Sequence, residues 1–303
     1  MVLCIEKILS IQEVTSMMNS ERFASIYSHD IVYCPPMEEE SALLEVALGC
    51  SWSKCLFCDF AKDPFHVHSM EKIERNLQIL SEAKADKDRV FFLGENTFCL
   101  GASMLLEIMQ MTKRYMPQVT TFGMYARFDD VLRKSDEELK LLFEAGLTDL
   151  HMGFESGSDM ILLTMNKGVS TSDILEATRR MDRAGIRYHF TIILGLGGKQ
   201  FSFSHATETA RLLNRTKPRS IWCLNLKVWP DTPLEKMVKR GEFEPLSLVE
   251  MLQEEWLMLQ NLNVKDCFYM DTTALNQFTI QGFLPDSKDA MLYGMRQLLE
   301  KAN

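Results

Sequence analysis

The sequence predicts an α/β fold, a parallel sheet of six strands alternating with helices and continued by a helical C-terminal extension. Three observations predict it. Short apolar runs alternate with longer amphipathic ones from about 41 to 228, the pattern of βα units in a parallel sheet. Each apolar run closes on a glycine or a polar segment. One device also occurs twice, at Ala145-Gly146-Leu147 and Ala184-Gly185-Ile186, where a glycine stops a helix and feeds directly into a strand.

The elements follow in order. Residues 1–40 read as an irregular lead, ending in the Pro35-Pro36 turn and the run Glu38-Glu39-Glu40, which reads as a solvated turn. "SALLEVAL" (41–48) is a buried strand ending at Gly49. In the next helix Met70, Ile73, Leu77 and Leu80 share one face, with Ser69 as N-cap. "RVFFLG" (89–94) is the second strand. A Met/Leu-rich helix over 102–115 stops before Pro117, and "VTTFGMY" (119–125) is the third strand. Ser135 and Glu138 form a capping box. Strand four is 147–152, a helix runs from about Ser172 to Gly185, and strand five is 186–194. A helix near 203–214 leads to strand six, 220–228. From 236 onward the chain reads as helical, so the expected organisation is a lead (1–40), an α/β domain (41–235) and a helical extension packed on it (236–303).

Composition narrows the function. The 303 residues suffice for one large domain or two ordinary ones, and the net charge of −9, with no dense Lys/Arg run, argues against a nucleic-acid surface. Residues 1–19 lack the pattern of a secretory signal, and no stretch approaches the roughly 20 apolar residues of a membrane span. A cytoplasmic protein is expected. There, eight cysteines read as metal ligands, catalytic thiols or core residues rather than as a disulfide framework. Twenty methionines read as adaptable core packing.

Active sites of parallel α/β folds gather at the C-terminal ends of the strands. Cys50, Gly94-Glu95-Asn96, Tyr125 to Arg127, Gly153 to Ser156, Gly195 to Gly198 and Lys227 to Pro233 all fall there. The densest signal is "GCSWSKCLFCDF" (49–60), with Cys50, Cys55 and Cys58 inside nine positions. A structural zinc takes four protein ligands and a catalytic zinc three around a water. Iron–sulfur clusters are the other common use of closely spaced cysteines, usually with four. Three thiols leave one iron of a cubane without a protein ligand, open to a small molecule.

This loop after the first strand resembles that of the radical S-adenosylmethionine (SAM) superfamily. The usual spacing there is C-x3-C-x2-C, and this chain has C-x4-C-x2-C. The resemblance implies a partial (β/α)6 barrel of the TIM type and a 4Fe–4S cluster on Cys50, Cys55 and Cys58, whose open iron is chelated by SAM. It also implies that Phe57 packs near the adenine and that Gly94, Glu95 and Asn96 lie at the SAM amino group, to which a carboxylate is a sensible partner. Glu155 and Ser156 become polar contacts to SAM, and the segment of Gly195 and Leu196 lies beside the adenine. Arg127 could hold the SAM carboxylate. "PDTPLEKM" (230–237) resembles the stretch that closes the last barrel strand, and the likeness covers about 40 to 240.

Plainer readings stand beside these. The cysteines could hold zinc, the glycines around 195 could merely allow close packing or form a dinucleotide loop, and Glu95 could cap the next helix. Arg127 could pair with Asp129 or Asp130. His151 and His189 read as satisfied core histidines, and Cys99, Cys223 and Cys267 as buried thiols. Cys99 and Cys223 are also candidate hydrogen-atom donors near the open face. Strand six cannot say from alternation alone which of its residues face inward.

The expected reaction is reductive cleavage of SAM to a 5′-deoxyadenosyl radical, which abstracts hydrogen from a small organic substrate. An electron donor such as flavodoxin or ferredoxin is the implied partner, and oxygen sensitivity is implied too. Without a second cysteine cluster or an RNA-binding module, sulfur insertion, peptide maturation and RNA modification rank lower. A porphyrin-like substrate stays open, although that branch has the shorter gap and an extra cysteine. From other classes, a non-catalytic zinc or iron–sulfur module and a nicotinamide oxidoreductase are the rivals, and the second leaves the cysteines unexplained.

Overall fold

A computed structural model describes residues 9–10, 25–59, 63–271 and 280–302. Most of the lead, and with it the reading of residues 1–19 as free of a signal, lies outside the described residues. The strands of the main sheet are β1 (Ala42–Glu45), β2 (Arg89–Leu93), β3 (Thr121–Ala126), β4 (Leu147–Glu155), β5 (Arg187–Leu194), β6 (Ser220–Asn225), β7 (Cys267–Met270) and β8 (Gln281–Leu284). The helices are α1 (Met70–Ala83), α2 (Ala102–Tyr115), α3 (Phe128–Arg133), α4 (Asp136–Glu144), α5 (Asp159–Thr164), α6 (Thr171–Ala184), α7 (Gly198–Leu213), α8 (Pro233–Lys239), α9 (Leu248–Asn261) and α10 (Lys288–Ala302). The sheet is mostly parallel, as the alternation predicts.

The chain divides into two compact units. The first holds residues 1–51, 60–151 and 181–186. Its strands run in the order β1-β2-β3-β4, with residues 147–151 of β4 at the end. β1 pairs parallel with β2, Leu44 opposite Phe92, and β2 with β3, Phe92 opposite Met124. Leu44, Phe91, Phe92, Phe122 and Met124 are fully buried in its core. Ser69 caps α1 by accepting from the Lys72 N–H at 3.3 Å, and the Ser135–Glu138 capping box starts α4 as predicted. Val32 and Cys34 of the lead pack with Leu43, Phe91 and Leu93, so the described part of the lead joins this core.

One expectation fails here. Glu38 is not part of a solvated turn: it is 1% exposed. Arg89 donates to it through Nε at 2.8 Å and Nη2 at 2.5 Å, His151 Nε2 lies 3.0 Å from Oε1, and Ser41 Oγ donates to Oε2 at 2.6 Å. Buried carboxylates persist where cationic donors satisfy them. Those donors come from distant strands and leave no trace in the acidic run itself.

The second unit holds residues 52–59, 152–180 and 187–303. Its strand order is β4-β5-β6-β7-β8, with residues 152–155 of β4. β5, β6 and β7 pair parallel, and β8 returns antiparallel on β7. The extension is helical over α8, α9 and α10, with α9 packed on α7 and α10. It also supplies β7 and β8, runs of four residues each, too short to show a period of two. Among the described residues no helix is long and apolar enough to cross a membrane.

Candidate active site

The cysteine loop leaves the end of β1. In the first unit the two-residue strands Ala47–Leu48 and His66–Val67 pair antiparallel and tie its neck. Cys50, Cys55 and Cys58 are all half-buried and none is in a disulfide. Ser53, inside the first gap, takes a left-handed backbone (φ 49°), uncommon for a non-glycine residue.

The arm 52–58 is seated in the second unit largely by backbone. Leu56 N–H donates to Met165 O at 3.0 Å, and Leu234 N–H donates to Leu56 O at 3.0 Å. That second donor belongs to the first turn of α8, whose N-cap Thr232 comes from the "PDTPLEKM" stretch. Trp52 Nε1 donates to Asn166 O at 2.8 Å, and Asn166 Nδ2 donates to Lys54 O at 2.9 Å. Gly168 (φ +76°) lies under the Trp52 ring, where a β-carbon would come within 2.7 Å of ring atoms. Gly168→Ala therefore meets both a strained backbone and a steric clash. The expected result is a loss of about 1–3 kcal/mol of stability and a lower iron content after anaerobic reconstitution, read by thermal denaturation and iron assay.

Glu155 is the last residue of β4 and holds a left-handed backbone (φ 60°), which is uncommon for a non-glycine residue. Its Oε1 accepts from Lys167 Nζ at 2.6 Å, while its Oε2 is buried with no hydrogen-bond partner among the described residues. A side chain at Gly153 would collide with this pair. Ser156 is buried, and its hydroxyl accepts from Ser158 N–H at 3.1 Å. Gly195 donates its N–H to Glu254 Oε1 at 2.6 Å, and Leu196 is buried. Phe57 is buried too. Cys223 is 0% exposed, its thiol donating to Tyr269 Oη at 3.2 Å, which donates to Glu255 of α9 at 2.8 Å. Cys223 therefore points toward α9, which settles which way it faces from β6.

In the first unit Gly94 (φ 125°) turns the chain after β2. Glu95 does not cap α2, whose N-cap is Gly101. Its Oε2 is buried and has no hydrogen-bond partner among the described residues, and burial, with the charges of Asp63 and Glu45, raises its pKa. Asn96 is buried, and its Nδ2 donates to Ser51 Oγ at 2.7 Å, next to Cys50 in sequence. Burial and the Asp130 charge push the Cys99 thiol up to about 11, only partly offset by Ser51, so it stays protonated at neutral pH. Nearby Lys134 is pushed down to about 8 by burial, and its Nζ donates to Phe98 O at 2.7 Å. Arg127 is buried and its Nε donates to Asp129 Oδ1 at 2.9 Å, the pairing that the sequence left open. His151 faces Glu38, and His189 Nδ1 lies 2.8 Å from Ser220 Oγ.

The donor set suits an iron–sulfur cube with one open iron. Among the described residues no three His, Cys, Asp or Glu side chains converge on one point, as a single ion would require. A cube asks for less, one thiolate at each of three corners, and the loop carries three accessible thiols. In the first unit Glu95 Oε2, and in the second Glu155 Oε2, is a buried oxygen that lacks a hydrogen bond among the described residues, and each is an acceptor that a donor group would satisfy. Sequence reasoning missed Trp52, Asn166, Lys167, His205 and Glu254. The Asn-Lys-Gly run at 166–168 is a turn signal that could have drawn notice. Nothing in the sequence marks the other three.

A profile of the Radical SAM superfamily matches residues 44–213, more than half of the 303 residues. The chain belongs to that superfamily and is an enzyme of its class, whose members use a 4Fe–4S cluster and SAM. An uncharacterised protein of Methanocaldococcus jannaschii is 27% identical over 215 residues, 67% of this chain and 66% of that one. The anaerobic magnesium-protoporphyrin IX monomethyl ester cyclase of Cereibacter sphaeroides is 25% identical over 203 residues, 66% of this chain but 32% of the cyclase. The chain thus spans just under two thirds of one relative and about a third of the other. Among solved structures, methylornithine synthase shares the fold with a TM-score of 0.52 and 15% identity, over 86% of this chain and 75% of that one.

Proposed function

We propose that this chain cleaves SAM reductively at a 4Fe–4S cluster held by Cys50, Cys55 and Cys58, and acts on a small organic substrate. The observation that carries the reading is the loop of three half-buried thiols with no disulfide, seated by backbone hydrogen bonds at Leu56. Bound there, the cluster and SAM supply a 5′-deoxyadenosyl radical. The chain's own residues hold and orient. Glu95 receives the ammonium of SAM on its unsatisfied Oε2. Glu155, fixed by Lys167, offers its second oxygen to ribose hydroxyls. Gly195 and Leu196 supply a close-packed wall beside the adenine, with Phe57 and Ser156 completing the contacts. Arg127, which pairs with Asp129 through Nε, is the guanidinium that would meet the SAM carboxylate.

Cys99 is the better hydrogen-atom donor of the two thiols, since it is half-buried and protonated while Cys223 is sealed under α9. A one-electron donor such as flavodoxin or ferredoxin and a cytoplasmic setting belong to the same reading. A tetrapyrrole substrate is the second reading, favoured by the cyclase likeness over 203 residues.

The test is formation of 5′-deoxyadenosine and methionine from SAM and dithionite by anaerobically reconstituted protein, with candidate metabolites and tetrapyrroles added in turn. A fully loaded cluster that yields neither product with any addition would sink the proposal. Glu95→Gln is expected to weaken SAM binding about tenfold, the loss of one charge-assisted hydrogen bond, measured by equilibrium dialysis. An unchanged affinity would remove Glu95 from the site.

A further inference from the structure

Four groups of the second unit meet in one buried network. His205 of α7 is 1% exposed, and Glu254 of α9 is buried beside it. His205 Nδ1 lies 2.9 Å from Glu254 Oε1, and Nε2 lies 3.2 Å from the backbone carbonyl of Glu155. The same Glu254 Oε1 accepts the Gly195 N–H at 2.6 Å. A single buried pair therefore touches the backbone at both strand ends to which SAM contacts are ascribed.

We propose that His205 and Glu254 act as a positioning clamp that fixes the backbone of Glu155 and Gly195 for SAM. The clamp rests on the reading above, in which those two segments bind SAM. A carbonyl and a carboxylate oxygen can only accept, so both ring nitrogens of His205 must carry protons and the ring is an imidazolium. Glu254 Oε1 also accepts the Gly195 N–H, so one oxygen serves both contacts. Burial alone would lower the His205 pKa, but Glu254 and the Glu155 carbonyl outweigh it and the net direction is upward.

A buried ion pair is a poor source of stability compared with apolar packing, so its use here calls for a geometric reason. The backbone supplies one. Glu155 (φ 60°) and Gly195 (φ 80°) both hold left-handed conformations, and a non-glycine residue keeps such a conformation only when its surroundings impose it. His205 holds the Glu155 carbonyl, Glu254 holds the Gly195 amide, and their mutual bond locks the two together. Glu254 lies beyond the superfamily match at 44–213. The C-terminal extension thus reaches back to set the geometry of the SAM-binding segments.

The test uses anaerobically reconstituted holoenzyme carrying His205→Leu or Glu254→Gln, with hydrogen exchange at 153–157 and 193–197 and the SAM dissociation constant as readouts. His205→Leu is expected to speed exchange at both segments about tenfold and to weaken SAM about tenfold. Glu254→Gln keeps an acceptor for Gly195 but loses the charge, and is expected to weaken SAM about threefold. It keeps the test decisive if His205→Leu does not fold. Glu38→Gln, destabilising in the other unit, serves as the control and should change neither readout. Unchanged exchange at both segments in the folded variants overturns the clamp, and so does wild-type SAM affinity alongside faster exchange. If wild-type protein binds no SAM, the reading of the site falls, and the exchange result alone still decides whether the pair holds the two segments.

Discussion

Cys55→Ala is expected to lose the brown cluster chromophore and to bring 5′-deoxyadenosine formation down to background while leaving the fold intact. Each thiolate of a three-cysteine site holds its own iron, so removing one leaves two donors for a cube that needs three. The two histidines that follow the loop in sequence do not offer a substitute: His68 is committed to Glu45 at 2.7 Å, and His66 is exposed on the tied neck of the loop. The loop itself survives, because the bonds that seat it come from the Leu56 amide and carbonyl and from Trp52 and Asn166. A half-exposed thiol replaced by a methyl changes fold stability by no more than about 0.5 kcal/mol. Far-ultraviolet dichroism should therefore match the wild type. Iron analysis and product chromatography on the same sample separate a cluster defect from a folding defect. Cys223→Ala is the contrast: it disturbs the Tyr269–Glu255 contact under α9 and should keep its iron. Full iron and full turnover in Cys55→Ala would remove this cysteine from the site.

The parts of this site that were legible in the sequence are those whose chemistry is written in residue type and spacing. Three cysteines within nine positions, a glycine stop before a strand, and serine caps followed by glutamate are all local signals. Ser69 and Ser135 form the predicted caps because an N-cap hydroxyl needs only backbone amides a few residues ahead. What could not be read depends on chain-distant partners. Lys167 reaches Glu155 across a helix, and His205 and Glu254 meet from helices 49 residues apart. In each case a polar residue looks like any solvated position until the fold places its partner. β7 and β8 were hidden for another reason, since runs as short as "CFYM" and "QGFL" carry neither a period nor a turn signal.

Glu38 shows the same effect and carries the largest stability prediction. Glu38→Leu leaves the Arg89 guanidinium and His151 without their shared carboxylate, although Arg89 keeps Asp149 at 3.1 Å and Thr148 at 3.0 Å. Breaking a buried pair by removing one partner costs about 3–5 kcal/mol, so the melting temperature should fall by on the order of 5–10 °C. Burial alone would raise the Glu38 pKa, but the hydrogen bonds from Arg89 and His151 outweigh it and bring it down to about 2 from 4.5. A carboxylate depressed on folding stabilises the protein at pH above its unfolded value, and that contribution is lost as pH falls through the folded value. The window is therefore about pH 4.5 down to 2, and the contribution lost across it is on the order of 3 kcal/mol. Thermal denaturation of wild type and Glu38→Leu at stepped pH should give curves far apart at pH 7 that converge toward pH 3. Curves that stay parallel to the lowest pH reached would show that the carboxylate of Glu38 is not what stabilises the network. A variant as stable as wild type at pH 7 would mean that Asp149 and Thr148 alone satisfy Arg89.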